Sequence, residues 1–153
     1  MQGSYPRFFL MVATSAVIMY GLMYLNTYTL DHVFWSETRL YMACLMGATM
    51  ALVMLGFMRG MYGNRKANVA IVATSAAVFL GALALVRSQA TVDDVSWMKA
   101  MIPHHSIAIM TSERARISDP RARQLADQII QSQQQEIAEM KTLIRELEQR
   151  QGG

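Results

Sequence analysis

Three uncharged apolar runs set what this chain can become: Phe8 to about Tyr28, Leu40 to Met58, and Ala67 to Val86. Each is about 20 residues long, the length an α-helix needs to cross the hydrocarbon core of a bilayer. The first is too long for the apolar region of a signal peptide, and no small-residue cleavage site follows it cleanly. It is read as a retained helix. The sequence therefore predicts a membrane domain over residues 1–87 with three transmembrane helices, followed by a second domain over residues 88–153. The fold class is all-α.

Positive charge near the ends of the runs gives an orientation. Arg59, Arg65 and Lys66 cluster between the second and third runs, beside a turn at Gly60, Gly63 and Asn64. Such clusters stay cytoplasmic, and Arg7 agrees. The amino terminus is then cytoplasmic and the part after residue 87 lies outside, which in a bacterial inner membrane means the periplasm. Arg39 and Arg87 fall on the outer side. The net charge of +3 is mild and spread over several segments, so no nucleic-acid footprint is expected. A single cysteine, Cys44, excludes an intramolecular disulfide and a cysteine-cluster metal site.

The second half is polar and helical. Thr91 is expected to cap a helix running to Ile117, with Asp93 and Asp94 in its first turn. Pro103 should kink it or mark a local break. Ser118 or Asp119 can cap a last helix that starts at Pro120 and reaches about Gln149 before Gly152 and Gly153. Its apolar stripe includes Leu125, Ala126, Ile129, Ile130, Ile137, Met140, Ile144 and Leu147. Two helices bury little on their own, so completion to a four-helix bundle by oligomerisation is expected. Packing on the membrane half, or a bound metal, would also supply the missing burial.

Methionine is over-used, with 14 in the chain. Met42, Met46, Met50, Met54 and Met58 recur every four residues along one ridge of the second span. Packing explains such a ridge; a thioether ladder for a soft cation is the sharper reading. In the second half, Trp97 to Met110 holds His104, His105, Met98, Met101 and Met110. Met98, Met101 and His105 share a helix face, Asp94 continues it, and His104 reaches its edge. Neighbouring helical residues point about 100° apart, so one histidine faces the hairpin core and the other faces elsewhere. On the last helix Glu136 and Met140 share a face that an antiparallel partner could bring opposite His105 and Met101. Imidazole and thioether donors suit copper, Cu(I) above all. His32, in the loop after the first run, lies on the same side and could reach the second half.

The run Met101-Ile102-Pro103-His104-His105 with Ala108 and Met110, followed by Leu125-Ala126, Ile129-Ile130, Gln133, Glu136-Ile137 and Met140, resembles the family filed as domain of unknown function 305. The resemblance covers roughly residues 90–148. Leu30 to Phe34 and Arg39 to Met42 resemble a subset of that family with membrane spans ahead of the domain. The resemblance implies a ferritin-like helical bundle and copper binding outside the cytoplasm. His104, His105, Met101, Met110 and Met140 are the positions it carries over.

The expected function is thus copper storage, buffering or hand-over by a membrane-anchored protein. Its ligands would be His104, His105, Met98, Met101 and Met140, with Met110 added and Asp94 and Glu136 in support. Its partners would be membrane lipid, a second copy or a larger membrane complex, and a copper-handling protein. The alternative is an assembly subunit of a larger membrane complex whose methionines only pack. No nucleophile with an oriented base and no phosphate-binding glycine loop is evident, so catalysis is not expected.

Overall fold

The computed structural model describes residues 4–151, and the closing Gly152 and Gly153 lie outside the described residues. Five α-helices follow one another: α1 (Tyr5–Leu22), α2 (Glu37–Phe57), α3 (Arg65–Ser88), α4 (Asp94–Arg114) and α5 (Pro120–Gln151). Short 3₁₀ turns at Leu30–His32 and Arg59–Met61 punctuate the connections, and no strand occurs among the described residues.

The chain divides into two compact units. The first combines residues 1–23 with 38–91, and the second combines 24–37 with 92–153. The loop after α1 thus belongs with the hairpin, whereas a single cut near residue 87 would have left it with the spans.

In the first unit α1, α2 and α3 are long and apolar enough to cross a membrane. Their 18, 21 and 24 residues correspond to about 27, 32 and 36 Å at about 1.5 Å per residue. Phe8, Ala51, Leu55, Tyr62 and Ile71 form the buried cluster, with Met54 and Met58 packed against it. Two of the methionine ridge therefore serve as packing. Gly47 lets α1 come close: a Cβ there would sit 3.4 Å from that of Ala16. Asn64 caps α3 by accepting from the Ala67 amide at 3.1 Å. Gln89 closes α3 in the left-handed region with φ 53°.

The first run ends sooner than its apolar content suggests. α1 stops at Leu22, and residues 24–28 go to the second unit.

In the second unit α4 and α5 form a helical hairpin. Its core is Met98, Ile102, Ile109, Ile137, Met140 and Ile144, and Tyr28 and Phe34 from the loop pack against it. Asp93, two residues after the expected Thr91, is the cap of α4 and accepts from the Ser96 amide at 2.7 Å. The Thr91 hydroxyl instead lies 2.7 Å from that of Tyr41. α4 ends at Arg114 rather than Ile117, and runs unbroken through Pro103. The Pro103 ring is fully buried, so packing offsets the backbone hydrogen bond that proline removes. Asp119 caps α5, accepting from the Arg121 amide at 2.8 Å.

Candidate functional site

The three- and four-residue spacing of α4 places His105 against α5 and turns His104 outward. His105 is buried, at 9% exposure, whereas His104 is exposed. The two rings stand 6.3 Å apart between centroids. Met98 and Met140 are buried in one cluster, with Met101 packed against it. Met110 is half-buried and Asp94 is exposed in the first turn of α4.

His105 Nε2 lies 2.7 Å from Glu136 Oε2. The other carboxylate oxygen, Oε1, accepts from the Ser132 hydroxyl at 2.7 Å. The Ser132 hydroxyl, and then His105, hold the Glu136 carboxyl below the ordinary glutamate range. A charged carboxylate beside Nε2 favours the tautomer with the proton on that nitrogen. Nδ1 then presents a lone pair. It is buried and without a hydrogen-bond partner among the described residues. A buried polar atom left alone calls for an explanation, and a bound ion is one. The hairpin register agrees: with His105 opposite Glu136, the antiparallel partner of Met101, one turn back, is Met140, one turn on.

Among the described residues no three His, Cys, Asp or Glu side chains come together as a metal site. The pair His105–Glu136 is as far as those residue types go.

A second constellation lies beside the first. Ser106, fully buried, accepts from the Tyr28 amide at 2.6 Å, and its Oγ lies 2.9 Å from His32 Nδ1. Burial pushes the His32 imidazole below its ordinary pKa and Lys141 adds to this, against a small upward pull from Asp31. Lys141 pairs with Asp31 across the same face. The Lys141 ammonium, helped by the Thr29 hydroxyl, holds the Asp31 carboxyl down at about 2. Serine beside histidine has the atoms of a nucleophile and its base, but this oxygen is fully buried and taken up by a backbone amide. Its role is to fasten the 24–37 segment to α4. Ser106, Ser132 and Lys141 had no distinguishing signal in the sequence beyond polarity on or beside an otherwise apolar stripe.

The family described as "Domain of unknown function (DUF305)" matches residues 56–151, well over half of the chain. The chain belongs to the DUF305 family. The match takes in α3 as well as the hairpin, and so reaches further toward the amino terminus than the His-Met motif alone. This DUF305 protein is also similar to an uncharacterized protein of Acanthamoeba polyphaga mimivirus, 39% identical over 108 residues, which cover 69% of each chain. No solved structure matches it.

Proposed function

We propose that this DUF305 protein is a membrane-anchored copper-binding protein that stores, buffers or hands on Cu(I). The observation that carries the reading is His105 Nδ1, buried and without a partner among the described residues, on a ring whose other nitrogen is held by Glu136. Carboxylate–histidine–metal relays use this arrangement: the carboxylate fixes the ring and raises its basicity toward the ion. The thioethers of Met98, Met101 and Met140, gathered in the adjoining core, are soft donors that favour Cu(I) over harder ions. Glu136 supports His105 in this reading instead of binding the ion. His104, exposed, and Met110, half-buried, would serve a second ion or an incoming copper-handling partner.

The anchor is the set of three helices long enough to span. With Arg59, Arg65 and Lys66 cytoplasmic, the hairpin faces the periplasm of a bacterial inner membrane. A second copy completing a four-helix bundle would add burial that one hairpin lacks.

The test is an anaerobic Cu(I) titration of the full chain in detergent against a competing chelator, on the wild type, His104→Ala and His105→Ala. Stoichiometric binding that collapses in His105→Ala and survives in His104→Ala is expected. Binding indifferent to His105, or none in the wild type, overturns the reading and leaves an assembly subunit whose methionines pack.

A further inference from the structure

Every acidic residue of the chain lies at position 31, at 37, or from 93 onward. The first unit, residues 1–23 and 38–91, therefore holds no carboxylate at all. It does hold Arg7, Arg39, Arg59, Arg65, Lys66 and Arg87. Arg39 donates to the Met23 carbonyl. Arg59 and Arg65 are exposed, and their guanidiniums make no hydrogen bond or ion pair among the described residues. Both line one cleft between α2 and α3, of about 870 Å³. Below them its walls are aliphatic, with Leu52 and Leu55 on α2 and Val69 and Val72 on α3. That volume lies within the roughly 300–1,000 Å³ of small-molecule sites.

The turn that carries the two arginines is fixed. Tyr62 is 3% exposed, and its ring meets Phe8 edge to face at 5.4 Å and Tyr5 at a tilt at 5.1 Å, centroid to centroid. Asn68 Nδ2 donates to the Tyr62 carbonyl at 2.8 Å, and the Tyr5 hydroxyl donates to Asn68 Oδ1 at 2.9 Å. The guanidiniums are thus attached to a framed turn, one on each side of Tyr62.

We infer that this cleft binds one anionic phospholipid, its phosphate between Arg59 and Arg65 and an acyl chain along the Leu52–Val72 walls. A guanidinium matches phosphate oxygens with paired donors, and basic pockets between spanning helices are suited to acidic headgroups. With no carboxylate in the unit, no acidic side chain of its own competes with a phosphate for these guanidiniums. A neutral helix would fill the apolar walls and leave both charges unmatched. The inference rests on α2 and α3 spanning a membrane, and is independent of copper.

The experiment uses the full chain, extracted from membranes, delipidated in detergent and titrated in native mass spectrometry. The probes are phosphatidylglycerol, phosphatidylcholine of the same acyl chains, and soluble glycerol phosphate. One phosphatidylglycerol should be retained with a preference of about tenfold or more over phosphatidylcholine, as expected for charge-assisted bonds to phosphate. Arg59→Gln/Arg65→Gln should erase that preference. Val72→Trp, which fills the cleft and keeps both charges, should release both lipids. Arg7→Gln should leave retention as in the wild type, and circular dichroism confirms that each variant is folded. Equal retention of the two lipids by the wild type, a preference surviving the double substitution, or glycerol phosphate competing as well as the intact lipid overturns the proposal. A chain that alkaline carbonate strips from membranes overturns the spanning premise instead, and that result is read before any lipid is added.

Discussion

His105 Nε2 and Glu136 Oε2 stand 2.7 Å apart, and that contact occupies one imidazole nitrogen and leaves the other. Ser132 bonds the second carboxylate oxygen, so the carboxylate is held from two sides while its histidine is held from one. Nδ1 is left without a partner among the described residues.

Glu136→Gln keeps the shape and removes the charge that orients the ring. Cu(I) affinity of the full chain should fall about 10- to 100-fold, the range for losing a carboxylate behind a ligating histidine. Chelator competition reads it. An unchanged affinity would mean that Glu136 does not act through His105.

Ser106→Ala leaves the Tyr28 amide and His32 Nδ1 without their shared partner. The local cost should be about 1–3 kcal/mol for a buried group left unpaired. Hydrogen exchange at the Tyr28 amide is the readout, and protection there should drop while the α5 amides hold theirs. Equal protection in both proteins would show that Phe34 and the Asp31–Lys141 pair suffice to dock the segment.

Acidification should loosen the same joint. The folded pKa of His32 is lowered below its ordinary 6.5, so the unfolded state binds the proton more readily than the fold does. Stability from neutral His32 is then fully present above about pH 6.5 and is lost as pH falls through the lower folded value. Protection at Tyr28 should decline over that window in the wild type. In His32→Phe the decline should be absent.

Ile102 is fully buried in the hairpin core. Ile102→Ala should cost about 2–5 kcal/mol and Ile102→Val about 0.5–1.5 kcal/mol. Thermal melts followed by circular dichroism measure the difference. A negligible cost for alanine would show that the core collapses around the gap.

The three long apolar helices and the hairpin were legible because each rests on a strong one-dimensional signal, run length for the apolar helices and helical period for the hairpin. The end of α1 was not. Met23, Tyr24 and Leu25 extend the first apolar run in sequence, but hydropathy does not distinguish an apolar helix from an apolar turn, and Leu25 lies beyond the helix at 77% exposure. The cap of α4 was misplaced by two residues because Thr91 and Asp93 are both good caps, and only the folded backbone chooses. The division of labour between His104 and His105 follows from helix geometry, and Glu136 was found by its spacing from Met140. Ser106 and Lys141 were out of reach. Their partners His32 and Asp31 lie 74 and 110 residues away, and single polar residues carry no period.

The Asp31–Lys141 pair joins a loop made early to a helix made last, so the second unit has a schedule. At about 5–20 residues per second, the ribosome needs roughly 5–20 s to travel from the first partner to the second. Through that interval Tyr28, His32 and Phe34 wait without the surface they will cover. α2 and α3 are made meanwhile. Until the hairpin exists, residues 24–37 are one half of a joint whose other half has not been made.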